Sequence, residues 1–327
     1  MRPHRRQLNA AIPLVTALLA GCGIAGDVTE IKLAHGHDTT HPVHAAMVFM
    51  AERLGEKSGG TMRIDIYTSQ QLGTERETLE LLQIGSLGMT KVSSSVLEGF
   101  APPFRVLGLP YLFRDEDHRF AVLGGEVGRE LLEGLERYRL LGLTYYDAGS
   151  RSFYTVRKPV HTPDDLAGLK LRTQESPIAV QMVRTLGGAA TPISYGEVFT
   201  ALQQGVVDGA ENNPPSFQTS RHYEVAKYYT LDEHTAVPDL LLISLAVWND
   251  LEPQQQQWLQ EAADESAELQ QELWRDATEE ALEVVSEAGV EVIYPDKEAF
   301  LAKAAPLLES FSRDPEVGPI VQRILSQ

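Results

Sequence analysis

The chain has 327 residues, 43 % of them apolar and 23 % charged, a length that suits two domains of ordinary size and a composition that buries a core instead of remaining disordered. Asp and Glu number 46 against 28 Lys and Arg, a net charge of −18, which argues against nucleic acid or an anionic membrane face as partner, because both attract basic proteins. A single cysteine excludes an internal disulfide framework and a thiolate metal cluster.

Arg2, Arg5 and Arg6 precede an apolar stretch from Leu8 to Ala20, the basic n-region and short h-region of a secretory signal. The stretch is shorter than the roughly 20 residues that span a bilayer. It ends in Leu19-Ala20-Gly21-Cys22, which resembles the lipobox of bacterial lipoproteins. Residues 1–21 are then a cleaved signal peptide, and Cys22 carries the lipid that tethers residues 22–29 and all that follows to a membrane. No later run of 18 uninterrupted apolar residues occurs, so the expected mature protein is soluble, exported and lipid-anchored.

Glu30–His35 alternates as a strand, and His41-Pro42 opens a helix with Val43, Met47, Met50 and Leu54 at helical spacing, broken by Gly59-Gly60. Met62–Tyr67 alternates again. Gly73-Thr74 caps a helix through Leu79 and Leu82, and a short strand around Leu87–Val92 follows. This strand–helix order predicts an α/β fold with a mainly parallel sheet. After a proline-punctuated loop, Asp115 begins a helix to about Arg137. Leu141–Tyr146 and Arg151–Arg157 read as strands, and Leu169–Arg172 as another after a short capped turn. Helices around Ile178–Leu186 and Tyr195–Gln204 flank Gly187-Gly188. The longest helical pattern starts after Asp250, with Pro253 in its first turn, and runs to Gly289; at about 1.5 Å per residue it is long enough to bridge two domains. A strand at Val290–Tyr294 and a final helix close the chain, which has no internal repeat.

No P-loop, GxSxG, HExxH or GxGxxG follows the pattern of a catalytic or nucleotide site, and acidic pairs such as Glu75 with Glu77 read as solvated surface. No cofactor is implied. The densest polar feature is the histidine run His35, His37, His41 and His44. Imidazole is the commonest zinc ligand, so one reading is a metal-capturing lipoprotein using His35–His44. Against it, all four side chains come from one segment, and the segment sits where a first strand ends, a ligand edge for any substrate in α/β sheets. Contact with an organic ligand and plain loop or cap roles are the other two readings. Arg151 begins a strand and Arg172 ends one; a guanidinium binds a carboxylate through two parallel N–H bonds and keeps its charge when buried.

The runs GLKLRTQESP (168–177) and PISYGEVFTALQQGVVDGAENN (192–213), with QQLGTERETLELLQIGSLGMTKVSSS (70–95) and LPYLFRDEDHRFAVLGGEVGREL (109–131), resemble the solute-binding proteins of tripartite ATP-independent periplasmic (TRAP) transporters, the DctP-like family. The resemblance runs in order from the first strand to the last helix. It implies a two-domain periplasmic-binding-protein-like α/β fold with a hinge and a long domain-spanning helix, a periplasmic location for the exported chain, no enzymatic activity, and TRAP membrane subunits as partners. The implied domains are 30–149 plus about 237–275 and 150–236 plus about 276–327, with the connecting helix at about 251–285. Arg172 matches the arginine that clamps the ligand carboxylate and Arg151 a second one near it. Asn212 matches the asparagine that completes the carboxylate site, and Tyr195 an aromatic that packs on the ligand. Glu75 and Ser93 match positions that meet the rest of the ligand.

Two departures bear on the ligand. Asn213 stands where proline often follows the asparagine, and Ser93 stands where the sialic-acid branch carries an acid. GTERE, MTKVSS and LFRDEDH are more like the branch that binds sugar acids, which makes a hexuronate such as glucuronate or galacturonate the expected ligand, with Lys91, His35 and His37 as further polar contacts. A small organic acid, a C4-dicarboxylate or 2-hydroxy acid, is the alternative within the family. An exported hydrolase of unrecognised type is the alternative outside it.

Overall fold

A computed structural model describes residues 28–327; the signal segment and Cys22 lie outside the described residues. In chain order the strands are β1 (Thr29–Ala34), β2 (Met62–Tyr67), β3 (Met89–Ser93), β4 (Leu140–Tyr146), β5 (Arg151–Thr155), β6 (Lys170–Thr173), β7 (Ala189–Pro192), β8 (Gly209–Asn212), β9 (Tyr228–Thr235), β10 (Asp239–Ser244) and β11 (Glu291–Ile293). They form a five-stranded sheet of order β2-β1-β3-β10-β4 and a six-stranded sheet of order β11-β9-β5-β8-β6-β7, each the centre of one lobe.

The sheets are mainly parallel, as the helix–strand order predicts, but each contains one reversed strand. β1 runs parallel to β2 and β3, but β10 is antiparallel to both its neighbours, β3 and β4. In the second sheet β5 is antiparallel to β8 and β9. The cause is the path of the chain. It leaves the first lobe between β4 and β5 and returns between β9 and β10, and the strands that follow these two crossings, β5 and β10, are the ones that run against the rest of their sheets. Sequence reasoning left β7, β8, β9 and β10 unassigned. β10 is buried on both faces: Leu240 and Leu242 join one core cluster, Leu241 and Ile243 another. A strand covered on both sides shows no alternation.

Each sheet carries helices on its two faces. One face of the first sheet packs on the helices Pro42–Lys57 and Pro253–Glu287 through Met47, Met50, Leu259 and Ala263. The other covers Leu79, Leu82, Leu131 and Leu135. The expected single helix from Asp115 is two, Glu116–Gly124 and Glu126–Glu133, because Gly125 is extended, and a Cβ on Gly128 would stand 1.9 Å from the Leu123 carbonyl oxygen. The helix Pro253–Glu287 has 35 residues, starts at a Glu252–Gln255 capping box and stops before Gly289, whose φ is +82°. Its first half packs in the first lobe, and Val285 reaches the core of the second.

The expected final helix is also two. Lys297–Ser312 packs on the second lobe through Phe300 and Ala304. Gly318–Leu325 returns to the first, where Val321 and Ile324 pack among Val127, Leu131 and Leu135 and the Ile324 carbonyl meets His118 Nε2 at 3.0 Å. The chain after about 276 is therefore shared between the lobes and does not belong to the second alone: its last apolar stripe fits the face that the first sheet's helices leave open. Among the described residues no helix is long and apolar enough to cross a membrane.

Candidate functional site

A cavity lies between the lobes. Its walls come from the ends of strands of both sheets: His37 beyond β1, Gln70 beyond β2, Ser93 closing β3 and Asp239 opening β10 on one side, and Arg151, Arg172 and Asn212 of β5, β6 and β8 on the other. Of the residues singled out from sequence, Arg172, Arg151, Asn212, Asn213, Tyr195, Glu75, Ser93, Lys91 and His37 all line it; His35 sits behind.

The two arginines have opposite surroundings. Arg151 donates from Nε to the Glu211 carboxylate, from Nη2 to the Glu211 carbonyl at 2.8 Å and from Nη1 to Asn212 Oδ1 at 2.7 Å. Glu211 also faces His234 Nε2 at 3.8 Å, and His234 Nδ1 lies 2.9 Å from Asp232. Burial would raise the Glu211 pKa, but the charges of Arg151 and His234 and the hydrogen bond from Arg151 together outweigh it and hold the carboxyl down at about 2. Burial would lower that of His234, but Asp232 and Glu211 raise it to about 9. The charges of this network balance, while Glu211 Oε1 and His234 Nε2 are buried without a hydrogen-bond partner.

Arg172 is 2 % exposed. Its side chain donates from Nε to the Ile193 carbonyl at 2.8 Å, which fixes the plane of the fork, and among the described residues no carboxylate lies within 4.0 Å of it. Burial lowers its pKa. A desolvated guanidinium with two free nitrogens and no counter-ion, on the wall of a cavity, can accept an anion.

On the opposite wall Lys91 is fully engaged: Nζ donates to His37 Nε2 at 2.8 Å, to Asp239 at 3.0 Å and to Glu75 at 3.1 Å. Burial opposes its charge, but Asp239 and Glu75 outweigh burial and the pKa is raised. Lys91 has only donors, so His37 Nε2 must accept. The neutral ring then carries its proton on Nδ1, which is buried without a partner. Glu75 also accepts from Ser93 N at 3.3 Å, and Ser93 caps the helix Ser94–Leu97.

The histidine run is a packed stack. His37 and His41 lie face to face at 3.8 Å, His35 Nε2 meets His44 Nδ1 at 3.1 Å, and His41 Nε2 reaches Ser216 of the second lobe at 3.2 Å. Burial and the Lys91 charge hold His35 at about 3 and His37 well below the ordinary value; burial does the same to His41. Among the described residues no group of three or more metal-ligand side chains converges, and an ammonium donating to His37 occupies the lone pair a cation needs.

Asn212 accepts from Arg151 and from Asn213 N at 3.0 Å, so its amide nitrogen is the polar group left for a ligand. Asn213 is tied down: Nδ2 donates to the Ala148 carbonyl at 3.0 Å and Oδ1 accepts from Ser216 N at 2.9 Å as an N-cap. Where proline is expected, this chain has a cap that reaches the interlobe crossing. Tyr195 stands edge-on to His37 at 5.3 Å, spanning the two walls.

Residues 33–314 match the family described as bacterial extracellular solute-binding protein, family 7 (DctP). The chain belongs to this family. A DctP-family relative, the solute-binding protein of Chromohalobacter salexigens, is 35 % identical over 290 residues, 88 % of this chain and 86 % of that one. A TRAP periplasmic solute-binding protein from Xanthobacter autotrophicus Py2, solved with bound β-D-galacturonate, is similar in structure with a TM-score of 0.87 at 39 % identity, covering 90 % of this chain and 98 % of the other. That from Pseudomonas putida F1, solved with bound D-glucuronate, has a TM-score of 0.88 at 35 % identity, covering 91 % and 97 %. The fold of this DctP-family chain is accordingly the two-domain α/β fold of TRAP solute-binding proteins, a periplasmic transport family.

The family resemblance did not pick out Gln70, Gln174, Glu175, Ser216 or Asp239, which also line the cavity. Asp239 had a signal, an acid between Pro238 and the apolar run Leu240–Ile243. An acid at the mouth of a buried strand needs a cation, and Lys91 is that cation.

Proposed function

We propose that this chain captures a sugar acid, a hexuronate such as glucuronate or galacturonate, and presents it to TRAP membrane subunits. The observation that carries the reading is the buried Arg172 fork without a counter-ion on a cavity wall. Arg172 grips the carboxylate, Asn212 completes that end, and Arg151 acts one step back by fixing Asn212. Tyr195 covers the ring, while His37, Glu75 and Ser93 meet its hydroxyls. Lys91 holds the Glu75 and Asp239 carboxylates in place, and His35 and Asn213 support their neighbours. The solved relatives with galacturonate and glucuronate bound support this ligand class. The chemistry is binding without turnover: Arg172 and Asn212 offer the cavity donors for an anion. Lipidation at Cys22 keeps the protein at the membrane where those subunits sit.

The net charge of −18 does not oppose an acid ligand, because the Debye length is about 8 Å at physiological salt and distant surface acids are screened. Isothermal titration of glucuronate, galacturonate, succinate and Zn²⁺ tests the reading. At least one uronate binds the native chain, and Arg172→Ala weakens it by about 150- to 4,000-fold, from the loss of one partner of a desolvated pair at about 3–5 kcal/mol. Undiminished uronate affinity in that variant, or preference for succinate or Zn²⁺, overturns it.

A further inference from the structure

Among the described non-glycine residues with positive φ, only Gln70 lines the cavity. Ser69 and Gln70 are left-handed in succession, with φ of 51° and 59°, a conformation that side chains with a Cβ resist. The backbone is held there from both sides. Ser69 N donates to the His37 carbonyl at 2.9 Å and Gln70 N to the His35 carbonyl at 3.2 Å, while Gly73 N returns to the Gln70 carbonyl at 3.0 Å. The turn is thereby fastened to the histidine segment that forms the first lobe's wall.

The turn places the Gln70 side chain at the seam between lobes, beside Gly36 and in room that Gly196 leaves for it. A Cβ on Gly36 would stand 3.6 Å from Gln70 Cγ; one on Gly196, in the second lobe beside Tyr195, would stand 2.3 Å from Gln70 Oε1 and 3.2 Å from Cδ. Inside this fit the Gln70 Nε2 is buried and has no hydrogen-bond partner. A buried amide N–H without an acceptor is costly, and strain of this kind collects where a site is pre-formed for a ligand. The cavity's anion end is at Arg172, so the acceptor that Gln70 lacks is an oxygen elsewhere on the ligand.

We propose that Gln70 is a specificity-determining residue of this site: its Nε2 donates to a hydroxyl or ring oxygen of the bound sugar acid at the seam, and Gly196 is small so that it can reach. The inference rests on the sugar-acid reading above. Titration of glucuronate and galacturonate into the native chain, Gln70→Ala, Gln70→Glu, Gly196→Ala and Arg172→Ala tests it, with the melting temperature of each ligand-free variant as a check on folding. Gln70→Ala and the isosteric Gln70→Glu, which presents only acceptors at neutral pH, each bind about 10- to 100-fold more weakly with an unchanged ligand-free melting temperature. Gly196→Ala, which pushes the carboxamide aside, follows them. A crystal structure with galacturonate places Nε2 within hydrogen-bond distance of a ligand oxygen outside the carboxylate. Native-like affinity in both Gln70 variants while Arg172→Ala loses the ligand overturns the role of Gln70 alone. No uronate binding to the native chain overturns both readings.

Discussion

Arg151 and Arg172 are 5 % and 2 % exposed, and the chain gives each a strand position on the same sheet, yet only one is unsatisfied. The difference is Glu211, which pairs with Arg151 and leaves Arg172 without a carboxylate partner among the described residues. The His234 charge lies in the same network, and its pKa of about 9 stands above the ordinary 6.5. A raised pKa in the folded state stabilises below the unfolded value, and that stabilisation is lost as pH rises through the folded one. About 3 kcal/mol is at stake at 1.36 per pK unit. The melting temperature of the native chain therefore falls between pH 7 and pH 10, and His234→Gln starts lower and loses less over that range. Parallel melting profiles would refute this. The motif around Arg172 makes it legible in the sequence, because strand and motif lie together. The Glu211–His234 pair is not legible: the partners are 23 residues apart, and strand pairing alone brings β8 and β9 to the two edges of β5. Gln70 is hidden for another reason, since its role comes from a backbone conformation that its residue type does not announce.

At the scale of elements, the strands and helices that alternate or begin at a cap are the ones that sequence reasoning places. The capping box Thr74–Glu77 and the His41-Pro42 start are examples. β10 is invisible because both its faces are covered, and the turn at Gly125 because a helical pattern continues across it. The crossing between β4 and β5 depends on a contact with the long helix: Gln270 donates to the Asp147 carbonyl at 2.8 Å and accepts from Asp147 N at 2.7 Å. Two residues on, Gly149 has φ +55°, and a Cβ there would stand 2.7 Å from Trp274 Nε1. Gly149→Ala thus meets both left-handed strain and overpacking, and is expected to cost about 1–3 kcal/mol in chemical denaturation. An unchanged midpoint would show that the helix and crossing yield freely.

For the whole molecule, the cavity is built from both lobes, and contacts such as His41 with Ser216 and Gln70 beside Gly196 exist only when they meet. A ligand touching both walls favours that state by its differential contacts. Saturating uronate therefore lowers the radius of gyration in small-angle X-ray scattering; a profile unmoved by ligand would contradict closure. The two-lobed plan was legible from the ordered run of family motifs along the chain, whereas the return of the last helix to the first lobe was not, because Val321 and Ile324 read as an ordinary apolar stripe with no address.

That return fixes which half of the jaw is the stationary one. The chain passes out between β4 and β5, back between β9 and β10, out along the long helix and back before Gly318. β1 and the Gly318–Leu325 helix consequently ride on the same body. Anything that grips the polypeptide near either of these ends immobilises the wall bearing His37, Gln70 and Lys91. In the proposed closure the wall bearing Arg172 is then the part that moves, towards the polar wall of the other lobe.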